Sequence, residues 1–331
     1  MRHSVGDLGE SGLLKRIFPR LALPEGTIVG PGDDAAVLAA PGGQVVLTID
    51  SLVENQDFRL TRPNGHVTSG FDVGWKAAAQ NLSDINSMGA RATSLVVSLT
   101  LPANTLVQWV EDLADGVVAA ITQLGAVGCG VIGGDLGKGR DLAVTIAATG
   151  TLDGRRAILR SGANPGDTVA ISGTLGRAAA GLSLMESHHL STGLTPGLTS
   201  LVNAQRRPQP PLAAGPAAAR AGASAMLDVS DGLFRDAGRI AIASSATIDV
   251  DGEVVRSFAV PLQEAADLLQ ADPLEWVISG GEDYGLLATF PLGNELPKGF
   301  RKIGTVSEGG SRVTFRGQDV VGGGWDHFAN G

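Results

Sequence analysis

Apolar and polar positions along the chain fall into blocks that read as alternating strands and helices. Gln44 to Ile49 reads as a buried strand, and Val73 to Met88 carries apolar residues at helical spacing up to Gly89, a helix stop. A strand follows over Ser94 to Leu101 and breaks at Pro102-Ala103-Asn104. Thr105 is then placed to cap a helix running to about Leu124. Two further strands are expected near Val127 to Ile132 and Leu142 to Thr151, giving the order β-α-β-α-β-β. The uncharged run Gly116 to Gly134 approaches the length of a membrane span. Its six glycines, with Thr122 and Gln123, instead split it into a helix end, a break at Gly125 and a short strand.

The texture changes at Asp153-Gly154-Arg155-Arg156, so two domains are expected, 1–152 and 153–331. In the second, Asn164-Pro165-Gly166-Asp167 makes a turn before the apolar stretch Thr168 to Ser172. A helix from about Arg177, a Pro-rich stretch from Arg206 to Pro216, a strand into Asp228 and a helix over Gly232 to Ala243 come next. Strands near Gly285 to Phe290 and Lys302 to Val306 complete an α+β half.

Composition narrows the classes. With 43% hydrophobic residues among 331, both halves can bury a core, and with only 4% aromatics large flat stacking surfaces are scarce. A net charge of -9 argues against nucleic acid or an anionic membrane as partner, since either needs a basic face. The polar, Gly-rich start from Met1 to Gly12 carries no targeting pattern, so a cytoplasmic protein is expected. The single cysteine, Cys129, lies between Gly128 and Gly130 in an apolar run and reads as a small buried residue.

Candidate chemistry lies in five short segments that set acidic residues beside apolar elements, in what read as Gly/Ser-rich turns. They are Gly30-Pro31-Gly32-Asp33-Asp34, Thr48-Ile49-Asp50-Ser51, Asn81-Leu82-Ser83-Asp84, Gly133-Gly134-Asp135 and Asp228-Val229-Ser230-Asp231-Gly232. Hard oxygen ligands gathered by folding suit Mg²⁺. Taken singly, a Gly-Asp pair is an ordinary turn, in which Asp bonds its own backbone. Asp84 differs, because an ionised carboxylate on an otherwise apolar helical stretch calls for a cation. There is no P-loop: Gly139, not Ser or Thr, follows Gly137-Lys138, and Ile132 takes the place of the first Walker glycine. GxSxG, HExxH and CxxC patterns are lacking too, and His188-His189 reads as a surface turn.

The segments, read in order, resemble a known family. GPGDDAAV (30–37), LTIDSLVE (47–54), AAAQNLSDINSMGA (77–90), IGGDL (132–136), RSGANPGD (160–167), LDVSDGL (227–233), SGGEDY (279–284) and the terminal WDHF (325–328) resemble the thiamine-monophosphate kinases, within the aminoimidazole ribonucleotide synthetase-like superfamily. The aspartate motifs are shared across the superfamily; SGGEDY and WDHF point to the kinases. The resemblance implies an N-terminal domain that binds ATP and Mg²⁺ and pairs in a homodimer through a shared β-barrel, beside a C-terminal α+β domain. It implies ATP and thiamine monophosphate as substrates and several Mg²⁺ ions. By the same resemblance Asp33, Thr48, Asp50, Asp84, Asp135, Asp228 and Asp231 would hold Mg²⁺ directly or through water. Gly134, Asp135, Arg160 and Ser230 would contact ATP, and Glu282 and Trp325 would lie at the thiamine end.

One position departs from the family pattern. Many relatives have His before Phe where this chain has Asp57-Phe58, and an unshielded carboxylate would repel the substrate phosphate. Asp57 is therefore expected at the substrate end either through metal or water or in a pocket arranged differently from the family's. No general base is expected, because a monophosphate oxygen is already largely ionised at neutral pH, with a second pKa of about 6. The alternatives are another ATP-using enzyme of the superfamily, or a non-catalytic metal- or nucleotide-binding protein. A selenophosphate synthetase fits poorly, because Cys129 is badly placed for its N-terminal nucleophile.

Overall fold

The computed structural model describes residues 16–21, 23–29, 37–40, 44–62, 64–187 and 193–320. The chain divides into two compact units, one formed by 1–85 and 90–154, the other by 86–89 and 155–331.

In the first unit a short hairpin, β1 (Thr27–Val29) with β2 (Val37–Leu38), precedes β3 (Val46–Val53), α1 (Gly70–Ser87), β4 (Arg91–Leu101), α2 (Val107–Gln123), β5 (Val131–Lys138) and β6 (Ala143–Thr151). The last four strands form a sheet in the order β3-β6-β4-β5, antiparallel except for the β4–β5 pair. Burial follows the pleat. Val144, Ile146 and Ala148 are buried, as are Leu82 and Ile85 of α1 and Val117 of α2. A Cβ on Gly150 of β6 would stand 2.5 Å from the Ile85 side chain, so α1 lies against this face.

The two helices approach backbone to backbone. A Cβ on Gly74 would stand 2.1 Å from the Leu113 carbonyl oxygen, and one on Gly116 equally close to that of Phe71. Only glycine allows this crossing.

Two expectations need correction here. Thr105 does not cap α2, whose N-cap is Leu106 with no side-chain bond; the Thr105 amide instead closes a turn on Pro102. The strand expected over Val127 to Ile132 is β5, displaced toward the C-terminus. The cause is Gly125 and Gly128, both at positive φ, which turn the chain tightly before pairing with β4 begins.

The second unit carries a seven-stranded sheet ordered β13-β12-β9-β11-β7-β10-β8, with β7 (Thr168–Ser172), β8 (Ala225–Val229), β9 (Ala246–Val250), β10 (Gly285–Phe290), β11 (Phe300–Glu308), β12 (Arg312–Phe315) and β13 (Gln318–Asp319). Its helices are α3 (Arg177–Glu186), α4 (Pro196–Arg206), α5 (Ala214–Arg220), α6 (Leu233–Ser244), α7 (Gly252–Arg256), α8 (Gln263–Leu269) and α9 (Pro273–Ser279). Alternate residues of one strand feed two cores. Val169 and Ile171 join Leu184, Leu201 and Ile240, while Ala170 joins Ala214, Ala218 and Phe290. Helices therefore cover both faces. No described helix is long and apolar enough to cross a bilayer.

Candidate active site

Along β3 the side chains of Leu47, Ile49 and Ser51 are exposed, while Thr48 and Asp50 turn inward toward α1. Asp84 meets them from that helix: Thr48 Oγ1 donates to Asp84 Oδ2 at 2.6 Å, and Asp50 shares a hydrogen bond with Asp84. Burial pushes the Asp50 carboxyl up to about 7, helped by the Asp84 charge, by that bond and by the Asp57 charge. Asp57 is fixed by its Oδ2, which accepts the Val53 amide at 2.7 Å. Two carboxyls that share a proton in metal-free form can share a divalent cation instead. Among the described residues no three His, Cys, Asp or Glu side chains converge on one point. Mg²⁺ is commonly held by one or two carboxylates, with waters and substrate phosphates completing its shell, and the donors present fit that ion.

Gly134 and Asp135 lie within β5, not in the turn expected of them, because pairing with β4 continues through Lys138. A Cβ on Gly134 would stand 2.0 Å from the Val97 carbonyl oxygen, so glycine is required for this pairing. Asp135 shares a row with Ser98, Thr145 and Ser51, the last two joined at 2.7 Å. That row occupies the face opposite Asp50. A single chain therefore does not bring Asp135 to the Asp50–Asp84 pair.

In the second unit Asp228 lies buried near the end of β8, paired in register with Leu286. The turn that follows is held by a residue the sequence reading passed over. Asp236 Oδ2 accepts the amides of Ser230 at 3.0 Å and Asp231 at 2.9 Å. Arg239 donates to Asp236 Oδ1 and to Asp231 Oδ2, both at 2.5 Å. Burial pushes the Asp236 carboxyl up to about 6 against the pull of the Asp231 amide and of Arg239. Their spacing, an acid in the first turn of α6 and a cation three residues on, is that of an ordinary helical ion pair and does not point to the turn they hold.

The segment 280–284 lies against this turn. Glu282 has φ of 67° and donates its amide to the Ser230 carbonyl at 2.8 Å; Tyr284, at 51°, donates to that of Val229 at 3.0 Å. Glu282 Oε2 accepts Gln205 Nε2 at 2.5 Å. Between the two strained residues Asp283 is buried, accepting Thr174 Oγ1 at 2.9 Å and the Arg177 amide at 3.2 Å at the start of α3. Burial nonetheless holds its carboxyl up at about 6. Non-glycine residues at positive φ persist where the surroundings over-determine them, and such places are commonly functional. Arg160 is exposed, its segment anchored by Ser244 Oγ, which donates to the Arg160 carbonyl at 3.2 Å and accepts the Ala163 amide at 3.1 Å. Asp33 and Trp325 lie outside the described residues.

Known proteins resemble this chain in sequence and fold. Residues 32–152 match the family described as AIR synthase related protein, N-terminal domain, and 164–311 match its C-terminal domain. A thiamine-monophosphate kinase of Mycobacterium tuberculosis strain H37Rv is 41% identical, the match covering 97% of this chain and 92% of that one. A thiamine-monophosphate kinase from Stenotrophomonas maltophilia K279a superimposes with a TM-score of 0.78 at 32% identity, over 93% of this chain and 96% of that one. The structure of AaThiL complexed with AMPPCP and TMP gives 0.76 at 31% identity, over 99% of each chain. With likeness of this extent running through both units, the chain belongs to the thiamine-monophosphate kinase family, on the two-domain AIR synthase-like fold.

Proposed function

We propose that this protein is an ATP-dependent kinase that phosphorylates thiamine monophosphate, transferring the γ-phosphoryl group of ATP to a substrate phosphate oxygen to give thiamine diphosphate and ADP. The observation that carries the reading is the 41% identity to a thiamine-monophosphate kinase over 97% of the chain. The inward-facing Asp50–Asp84 pair supplies the physical reason why the chemistry is possible here. A relative of similar size was solved with AMPPCP, an ATP analogue, and TMP.

Transfer between two polyanions asks for alignment and charge neutralisation more than for proton abstraction. Bound Mg²⁺ would neutralise phosphate oxygens and polarise the transferred group. Asp50 and Asp84 would hold it, with Thr48 orienting Asp84. Asp33, Asp135 and Asp228 are assigned to further ions on the family pattern. Asp231, already bonded to Arg239, would act through water. Asp57, held by the Val53 amide, adds to the upward push on the Asp50 carboxyl, and a cation there would serve better than a direct phosphate contact. Gly134, Arg160 and Ser230 are assigned to ATP, Glu282 and Trp325 to the thiamine end, and an ionised oxygen of the monophosphate would attack the γ-phosphorus in line with the departing ADP, with no general base required.

The dimeric barrel belongs to this reading as well. Leu47 is 70% and Ile49 65% exposed on β3, an edge strand of the open four-stranded sheet. An apolar edge of this kind is normally covered by another strand, and a second copy would cover it. The functional reading is tested by offering the protein ATP and Mg²⁺ with thiamine, thiamine monophosphate or the amidine substrate of purine synthesis, products being identified by mass. Thiamine diphosphate formed from the monophosphate alone supports the kinase. ADP formed only with the amidine would assign the chain to the other branch of the superfamily.

A further inference from the structure

Gln205 is 5% exposed, on the buried side of α4, in a place where a leucine or methionine would satisfy packing. Its Nε2 donates to Glu282 Oε2 at 2.5 Å, while its own buried Oε1 has no hydrogen-bond partner among the described residues. A buried amide that leaves its acceptor unmatched is retained against the interest of stability. What it gains is one charge-assisted bond to a carboxylate of the candidate site.

The surroundings are built for that reach. A Cβ on Gly181 of α3 would stand 2.1 Å from the Leu201 carbonyl oxygen and 3.1 Å from Gln205 Cβ, so α4 comes close only because position 181 is glycine. At the other end, the Glu282 main chain is held at φ of 67° by the Ser230 carbonyl, and Asp283 is tied into the start of α3. With the backbone set by these bonds, the remaining freedom of Glu282 is in its side-chain torsions. Gln205 removes it. We infer that Gln205 is a positioning residue for the acceptor substrate, aiming the Glu282 carboxylate at the nitrogen-rich, cationic end of thiamine monophosphate. A carboxylate held in one rotamer binds such a group without first losing side-chain freedom. The inference rests on the assignment of Glu282 to the thiamine end.

The test compares Gln205→Met, Gln205→Glu, Glu282→Gln and the double variant Gln205→Met/Glu282→Gln in the full-length protein. KM is measured separately for thiamine monophosphate and for ATP, alongside melting temperature. Gln205→Met is expected to raise KM for thiamine monophosphate roughly tenfold, equivalent to about 1.4 kcal/mol, with KM for ATP within about twofold. The isosteric Gln205→Glu sets two carboxylates against each other and should do at least as much harm, which guards against misfolding of the methionine variant. The double variant should be no worse than Glu282→Gln alone, because both changes disable one contact. If Glu282→Gln raises KM for thiamine monophosphate and neither Gln205 variant does, the positioning role is overturned while the site assignment stands. If Glu282→Gln itself binds the substrate normally, the assignment of Glu282 fails and the inference falls with it. Equal rises in both KM values together with a lowered melting temperature would make Gln205 a packing residue.

Discussion

A carboxylate on the covered face of a sheet is costly, and this chain sets Asp50 beside Asp84 there. On the proposed reading, a bound cation would offset that cost. Asp84→Asn keeps the shape, keeps an acceptor for Thr48 and removes the charge that presses on Asp50. Turnover at limiting Mg²⁺ should fall by roughly a hundredfold or more, a larger effect than the 10–100-fold typical of groups that merely support a metal ligand. In chelator at pH 8 the melting temperature should stay level or rise, since a repulsion has gone. Wild-type turnover in this variant would remove Asp84 from the metal site, and a large fall in melting temperature would make it structural. Asp84 was legible in the sequence because an acid on an apolar helical face has few inexpensive explanations. Asp236, Arg239 and Asp283 were not. Each reads as an ordinary charge near a helix or turn, and the partners that define them, the amides of Ser230, Asp231 and Arg177 for the two acids and the Asp231 and Asp236 carboxylates for Arg239, reach them only once the chain has folded.

Among the elements, hydrophobic period and turn chemistry sufficed for α1, β4, β6, β8 and β10, whose patterns are strong and whose ends carry Gly or Pro. Glycine misled the reading in Gly133-Gly134-Asp135, where local propensity says turn and pairing with β4 says strand. Tertiary pairing won because the Val97 carbonyl lies so close to position 134 that a side chain would be excluded. The same misreading hides the contact between α1 and α2, since Gly74 and Gly116 look like weak points in otherwise apolar helices. Helix propensity alone predicts that Gly74→Ala stabilises the protein by about 1 kcal/mol. With the new Cβ 2.1 Å from the Leu113 carbonyl, the helices must separate, and a net loss of about 1–3 kcal/mol is expected in denaturant unfolding with an unchanged m-value. A gain in stability would show that the close approach does not constrain the first unit.

Considered whole, the molecule has a net charge of -9 and a proposed reaction between two polyanions, and on that proposal its acids would recruit cations before the substrates meet. Quaternary structure enters at the same scale, because Asp135 and the apolar side chains of β3 share the face turned away from Asp50. If that face is the dimer seam, Leu47→Lys with Ile49→Glu should convert a dimer to monomer in sedimentation velocity. A wild-type monomer, or a dimer indifferent to both changes, would refute the barrel. The most direct test of the kinase reading itself follows the phosphoryl group. With ATP labelled at the γ-phosphate, Mg²⁺ and thiamine monophosphate, the label should appear in thiamine diphosphate in a one-to-one ratio with ADP, and the transfer should cease in chelator. Label released as inorganic phosphate, or ADP formed at the same rate without thiamine monophosphate, would contradict the account.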